Sequence, residues 1–191
     1  MVRAGLSRAQ VCTAALELAD EVGIDHVTMT ALARRLGVAV PSLYEHVRGV
    51  PDLLDAVAAQ ATAQLADRLG EALQGRAGRD ALIAYATALR SWVLSHPGRY
   101  AATVRPLTDP EGSAAQARIV AGCAALLRGY GLEETRAVDA VRFVYSTMHG
   151  FIHLETDGGF SHARNLDTSW SLVLDAIDRA LSTWPGRARV T

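Results

Sequence analysis

The chain has 191 residues, of which 50% are apolar, so it is long enough to bury a core and fold unaided. Its formal net charge of −1 argues neither for nor against a nucleic-acid partner. Ala, Leu and Val at helical spacings dominate the apolar residues, whereas strand-forming types are scarce. This composition excludes a buried β-sheet and predicts an all-α protein.

The apolar residues are dispersed along the chain, and no run approaches the roughly 20 residues that a membrane span requires. The first residues also lack the pattern of a signal peptide. We therefore expect a cytoplasmic protein that does not contact a membrane. Cys12 and Cys123 fall on apolar positions of predicted helices, which is typical of small buried residues in a reducing compartment.

The first predicted helix covers about residues 7–23. Ser7 followed by Gln10 matches a capping box, and Gly23 ends the helical pattern. One apolar stripe lies between them: Val11, Ala14, Leu18 and Val22.

Two shorter helices follow. Thr28 or Thr30 caps the first of them, and Gly37 ends it by taking a left-handed conformation. The other covers residues 40–47, with two apolar residues four apart on its inner face: Leu43 and Val47. Two short helices around a glycine turn, braced by a longer one, are the sequence form of a helix-turn-helix, which reads a DNA major groove.

The remaining chain predicts six more helices, about nine in all. Their approximate bounds are 52–75, 78–95, 99–106, a segment between Gly112 and Gly131, 133–155 and 165–184, with a loop over 106–112. We predict a DNA-binding domain over residues 1–50 and a ligand-binding and dimerisation domain over residues 51–191.

The last two predicted helices carry apolar seams with steps of three and four, which is typical of helices that pack at shallow angles. A four-helix interface across a twofold axis would bury these seams in a homodimer. Packing within one chain is the alternative explanation. The predicted interface residues are Val138, Val141, Tyr145, Met148, Ile152, Trp170, Leu174, Ile177, Leu181 and Trp184.

The segment VTMTALARRLGVAVPSLYEHVRGVPDLL, from Val27 to Leu54, resembles the DNA-binding signature of the TetR family. The resemblance implies a repressor. Two positions depart from the family pattern: Val47 stands where Phe is usual, and Val50 stands where Lys is frequent, which removes a phosphate contact that Arg48 can replace. The C-terminal half resembles one TetR subgroup through Trp92, His96-Pro97, Met148 to Phe151, Leu154-Glu155 and Gly158-Gly159.

The predicted DNA surface centres on the third helix. Ser42 and Glu45 can hydrogen-bond base edges, and the apolar Val40 and Pro41 suit thymine methyl groups. As the resemblance implies, Tyr44 and His46 contact phosphates, and the start of the second helix can hold another. The full set of predicted DNA-binding residues is Arg3, Arg8, Thr28, Arg34, Arg35, Val40, Pro41, Ser42, Tyr44, Glu45, His46 and Arg48.

The predicted effector pocket lies among the fifth to eighth helices, where aromatic residues mix with a few polar groups. Its candidate residues are Tyr85, Trp92, Tyr100, Arg105, Phe143 and His149. No Gly-rich phosphate loop occurs, which favours a small, largely apolar effector over a nucleotide. His149 and His153 have the spacing of a metal-chelating pair, but no third ligand follows at a diagnostic distance, so we expect neither metal nor cofactor.

An enzyme is not indicated, because the chain has no nucleophile elbow with Ser, His and Asp in order, no paired carboxylates and no HExxH motif. The pattern favours a ligand-responsive transcription repressor that acts as a homodimer on a palindromic operator. The alternative is an all-helical module that binds small molecules without specific DNA binding.

Overall fold

The computed structural model describes residues 6–132 and 134–185, and the side chains of all of these except 134–136. Within them it has nine α-helices and no strand, which confirms the predicted all-α class. None of these helices is long and apolar enough to cross a membrane. The helices are α1 (Arg8–Val22), α2 (Met29–Leu36), α3 (Val40–Leu43), α4 (Val50–Leu73), α5 (Gly78–Ser95), α6 (Pro97–Thr103), α7 (Pro110–Arg128), α8 (Glu134–Thr156) and α9 (Leu166–Ser182), with a 3₁₀ turn at Ile24–His26.

Local capping chemistry sets the ends of the first two helices. The Ser7 side chain accepts a hydrogen bond from the Gln10 amide, and the Gln10 side chain accepts one from the Ser7 amide, so the predicted capping box is confirmed. Gly37 ends α2 with a φ of 66°, the left-handed conformation that glycine adopts without a steric penalty. Both features, the capping box and the left-handed glycine, depend only on residues that are close together in the sequence.

Several predicted bounds were wrong. The helix predicted over residues 99–106 covers Pro97–Thr103. The third helix ends at Leu43 instead of residue 47, because the Tyr44 and His46 amides bond to carbonyls three residues back and form turns. The predicted loop over 106–112 is helical from Pro110 onward. There the Asp109 carboxylate accepts a hydrogen bond from the Gly112 amide at 2.8 Å and caps α7.

The chain divides into two compact units. The first comprises Met1–Gln64 and Ser95–Gln116, of which residues 6–64 and 95–116 are described. The second comprises Leu65–Leu94 and Ala117–Thr191, described up to residue 185 and without residue 133. Helix α4 contributes residues to both units. The predicted domain boundary between residues 50 and 51 stays a prediction.

The first unit has one apolar core that includes residues from α1, α2, α3, α4 and α6. Its most deeply buried members, each exposed by 1% or less, are Val11, Ala15, Leu16, Ala19, Leu32, Leu43, Leu53, Val57, Ala58, Ala61 and Ala102. The core therefore extends from the helix-turn-helix to a helix about fifty residues further along the chain.

Helix α6 lies directly against α1 in this unit. A Cβ atom at Gly98 would collide with the backbone carbonyl of Ala19, so only glycine permits the approach. Arg99 secures the same junction, since its amide donates to the Asp20 carboxylate at 2.8 Å and its guanidinium pairs with that carboxylate at 2.8 Å. The guanidinium also donates to the Gln64 side chain at 3.2 Å, which joins α4 to the junction.

The second unit buries the inner faces of α5, α7, α8 and α9. Its most enclosed large side chains are Leu69, Leu82, Leu126, Leu127, Leu132, Met148, Ile152 and Ile177. Polar links join these helices at the edge of the core: the Tyr130 hydroxyl donates to Asp178 at 2.6 Å, and Arg79 pairs with Asp175 at 2.7 Å. Burial also raises the pKa of the Cys123 thiol to about 11, so this cysteine stays protonated.

We expect Gly98→Ala to destabilise the protein by about 1–3 kcal/mol, because the new methyl group meets rigid backbone instead of a movable side chain. The matched control is Gly70→Ala in α4, where the added methyl group meets no atom within 4 Å apart from its chain neighbours and the nearby backbone of its own helix. That control should raise the free energy of unfolding by about 0.5–1 kcal/mol. Urea unfolding followed by circular dichroism measures both, and equal effects of the two variants would contradict the close approach.

Candidate nucleic-acid interface and effector domain

Helix α3 and the turns that follow it, residues 40–47, have an inner and an outer face. Leu43 and Val47 are buried in the core of the first unit, as the sequence predicts. Pro41, Tyr44 and Glu45 are exposed on the opposite side. Val40, Ser42 and His46 are partly exposed. The predicted base-reading and phosphate-binding side chains of this segment are thus accessible to solvent, and their individual roles stay predictions.

The start of α2 offers a second polar group. Thr28 is the N-cap residue, and its side-chain oxygen accepts a hydrogen bond from the Ala31 amide at 3.1 Å. The hydroxyl hydrogen of this exposed residue can still be donated to an anion. Thr28 therefore has the geometry that a phosphate contact requires.

The two arginines at the end of α2 differ in their surroundings. The Arg35 guanidinium pairs with Glu21 at 2.8 Å and with Glu17 at 2.9 Å, both on α1. These hydrogen bonds, first those to Glu21, raise the pKa of Arg35. Arg34 is exposed, and no ion pair involves it within residues 6–132 and 134–185. Arg35 connects α1 to α2, whereas Arg34 is available to an external anion. Arg3 lies outside the described residues.

A cluster that sequence reasoning missed lies beside α3. We call it the Asp52 clasp, after the residue at its centre, and it consists of Arg8, Arg48 and Asp52. The Arg8 guanidinium donates to Asp52 at 2.9 and 3.3 Å, the Arg48 guanidinium donates to it at 3.1 Å, and the Arg48 amide donates to it at 2.9 Å. Arg8 also donates to the His46 carbonyl at 2.7 Å. These bonds, first those from Arg8, hold the pKa of the Asp52 carboxyl well below its usual range, so it is ionised at neutral pH.

The six predicted effector residues are divided between the two units. Tyr85, Trp92, Phe143 and His149 belong to the second unit, and the first two are buried. Tyr100 and Arg105 belong to the first unit, where Arg105 approaches Asp25 at 3.7 Å. The six residues are therefore not all part of one compact unit, and their roles in effector binding stay predictions.

His149 is the candidate effector residue with the most distinctive environment. Its ring stacks on Tyr145 with centroids 3.7 Å apart, and burial lowers its pKa to about 4, so the imidazole is neutral at physiological pH. A neutral imidazole offers one donor and one acceptor. His153, four residues on, is exposed and approaches Asp157 at 3.3 Å. Within the described part of the chain, no group of three His, Cys, Asp or Glu side chains is arranged to hold a metal.

The ten predicted interface residues fall into two groups. Six are buried within the described chain itself: Met148, Ile152, Trp170, Leu174, Ile177 and Leu181. Val138 and Tyr145 are exposed, whereas Val141 and Trp184 are intermediate. The seams thus serve intrachain packing at most positions, and a role in dimerisation stays a prediction.

Glu155, part of the Leu-Glu motif, has a partner that the sequence did not predict. The Arg90 guanidinium of α5 binds the Glu155 carboxylate through two hydrogen bonds of 2.7 and 2.6 Å. It also pairs with Asp167 at 2.7 Å and lies 5.6 Å from the ring centre of Trp170. Arg90 therefore connects α5 to the end of α8 and the start of α9.

Comparison with known proteins gives consistent matches over most of the chain. Residues 11–57 match the model of bacterial regulatory proteins of the tetR family, and residues 82–177 match the tetracyclin repressor-like C-terminal domain. An uncharacterised HTH-type transcriptional regulator of Mycobacterium tuberculosis is 40% identical over 158 residues, which cover 81% of this chain and 72% of the relative. A second such regulator, from Bacillus subtilis, is 30% identical over 174 residues, with coverages of 90% and 91%.

A solved structure adds a match at the level of the fold. The structure of a TetR variant from Acinetobacter baumannii in complex with minocycline is 28% identical to this chain, with a TM-score of 0.67. The match covers 92% of this chain and 96% of the other. The similarity therefore extends through the N-terminal and C-terminal halves alike.

The lowered pKa of His149 predicts a pH dependence of stability. Between pH 6.5 and about 4 the unfolded chain binds a proton at this residue and the folded chain does not, so stability falls as the pH falls through this window. Between these two pH values the free energy of unfolding of wild type should fall by more than that of His149→Gln. We expect the difference between the two falls to be on the order of 2 kcal/mol. His153→Gln removes an exposed imidazole from the next turn as a control. Parallel pH curves for wild type and His149→Gln in urea unfolding would contradict the prediction.

Proposed function

Because the chain belongs to the TetR family of bacterial regulatory proteins, we propose that it is a ligand-responsive repressor that binds a palindromic operator as a homodimer. At the coarser level the chain is a DNA-binding transcription regulator. It is not an enzyme, as the sequence predicts. The following proposals concern how it binds DNA, effector and partner.

The observation that carries the proposal is the accessible outer face of α3. Leu43 and Val47 bury the inner face, and this burial supports insertion of Pro41, Tyr44 and Glu45 toward a major groove. In this proposal Glu45 and Ser42 hydrogen-bond base edges, and Val40 and Pro41 meet thymine methyl groups. Tyr44 and His46 donate to phosphates.

The proposed phosphate contacts surround α3. Thr28 donates its hydroxyl at the N-terminus of α2, and Arg34, Arg8 and Arg48 supply positive charge. Arg35 makes a smaller contribution, since Glu17 and Glu21 already neutralise it. These contacts fix the orientation of the protein on the duplex.

The proposed effector is a small, largely apolar molecule bound in the helical part of residues 51–191. Tyr85 and Trp92 provide buried aromatic surface, and neutral His149 provides one donor and one acceptor. The similar TetR variant from Acinetobacter baumannii was solved in complex with minocycline, which supports a small-molecule effector for this chain.

We propose that the effector acts through α4, which runs from Val50 to Leu73 as one helix. Effector binding favours one arrangement of α4 and changes the separation of the two α3 helices in the dimer, so that they no longer match successive major grooves. The coupling must reach about 2 kcal/mol to be effective, because 1.4 kcal/mol is only tenfold in affinity.

The homodimer proposal rests on apolar residues that the chain itself leaves exposed on α8. Val138 and Tyr145 lie seven residues apart, two helical turns along one face. A second copy related by a twofold axis would bury them. The two subunits would then present two α3 helices to one palindrome.

We expect selection from a random duplex library to enrich an inverted repeat with half-sites roughly one helical turn apart. Binding of the folded protein at moderate salt, followed by sequencing, measures the enrichment. A folded protein that enriches no sequence would favour the alternative, an all-helical small-molecule-binding module without specific DNA binding.

The affinity for the selected duplex should depend on salt through only a handful of phosphates per dimer, because most arginines in the described part of the first unit pair with carboxylates. We expect the slope of log affinity against log salt to be no steeper than about −10. Fluorescence anisotropy over a series of NaCl concentrations provides the slope. A steeper slope would show many more phosphate contacts than this surface supplies.

Val138→Glu should convert the dimer to a monomer, because it introduces an unpaired carboxylate into the proposed interface. Val120→Glu on α7 is the matched control, since Val120 is 55% exposed and Val138 is 51% exposed. Sedimentation equilibrium measures the mass of both variants. Two variants of equal mass would remove the support for this interface.

A further inference from the structure

In the Asp52 clasp the carboxylate is largely buried, whereas the two guanidiniums are exposed to solvent. The Asp52 side chain is only 14% exposed, whereas Arg8 is 48% and Arg48 is 90% exposed. Two cations share one anion, so the cluster carries a net charge of +1 toward solvent. The buried carboxylate therefore holds two positively charged groups in place at the surface.

Three separate attachments orient this charge relative to α3. Asp52 binds both guanidiniums, the Arg48 amide donates to the same carboxylate, and Arg8 donates to the carbonyl of His46. His46 lies three residues beyond the end of α3. Arg8 belongs to α1 and lies forty-four residues before Asp52. The clasp therefore joins the starts of α1 and α4 to the turn that follows α3.

We propose that Asp52 is a positioning residue for operator recognition: it holds Arg8 and Arg48 at the edge of α3, so that both guanidiniums meet phosphates in a preset register. The inference rests on the proposed function, in which α3 enters the major groove. Asp52 itself does not touch DNA. A preset pair of arginines loses less side-chain freedom on binding than two mobile ones.

The role differs from simple attraction between charges. Mobile arginines find phosphates on any duplex, because the phosphate backbone carries no sequence information. Fixed arginines set the register in which α3 meets base edges, so they favour the correct duplex over others. Loss of Asp52 should therefore lower the affinity for the operator without lowering the affinity for unrelated DNA.

Asp55 provides a matched control for charge. It lies one turn further along α4, and both carboxylates line the same open groove of about 960 Å³. Asp55 accepts a hydrogen bond from the Thr108 hydroxyl at 2.9 Å, and none of the ion pairs among the described residues involves it. Asp55→Asn thus removes an equal charge from nearly the same place and leaves both arginines held.

The test measures equilibrium binding, by fluorescence anisotropy, to the duplex selected by wild type and to a shuffled duplex of the same composition. We expect Asp52→Asn to bind the selected duplex about tenfold more weakly or worse. Its affinity for the shuffled duplex should be unchanged or higher. Asp55→Asn should raise both affinities by the same small factor. The proposal is overturned if Asp52→Asn changes both affinities alike, or leaves operator binding intact.

Variants that keep Asp52 cover the case in which Asp52→Asn does not fold, as judged by circular dichroism. Arg8→Gln and Arg48→Gln should each weaken binding to the selected duplex and flatten the salt slope by about two units per dimer, one for each subunit. Unchanged slopes for both variants would overturn the proposal. If wild type selects no duplex at all, the proposed function fails. If it selects one, the comparison of Asp52→Asn with Asp55→Asn decides whether Asp52 positions the arginines, and the slopes decide whether both arginines meet phosphates.

Discussion

A single helical turn does not persist in water, because nucleation of a helix costs more than one hydrogen bond returns. Helix α3 has only four residues, so its place in the protein depends on the burial of Leu43 and Val47 in the core of the first unit. Their burial fixes the direction of the side chains between and beside them. The core therefore sets the outward direction of Pro41, Tyr44 and Glu45, and in the proposed function core residues far from the DNA would contribute to recognition.

Most arginines in the described part of the first unit bind carboxylates of that same unit. Arg35 binds two carboxylates of α1, Arg8 shares Asp52 with Arg48, and Arg99 binds Asp20. Such pairs at the surface contribute little to stability by themselves, but they orient long side chains that would otherwise sample many rotamers. In the proposed complex with DNA, shape and a few oriented donors would therefore supply a large share of the selectivity.

The sequence predicted those features that depend on short-range chemistry. The capping box at Ser7, the left-handed Gly37 and the burial of Leu43 follow from residues at most four apart, and all three are confirmed. The prediction of a loop over residues 106–112 was wrong because Asp109 and Pro110 suit a loop and a helix start equally well. The hydrogen bond between the Asp109 carboxylate and the Gly112 amide favours the helix. The Asp52 clasp and the pairing of Arg90 with Glu155 join residues 44 and 65 positions apart, and no periodicity in a single sequence reports such contacts. Likewise, the seams of α8 and α9 indicate apolar faces but not whether the same chain or a second copy covers them.

Gly98, which lets α6 lie against the backbone of α1, affects whether the DNA-binding part of this regulator can be exchanged as one continuous segment. Ala102 of α6 is fully buried in the same core as Leu43, so the helix-turn-helix completes its interior with a segment encoded some fifty codons downstream. An exchange of DNA-binding segments between relatives, whether by recombination or by design, would therefore have to transfer residues 95–116 together with the N-terminal helices. The residues that build the core of the proposed DNA-binding unit are thus discontinuous along the sequence.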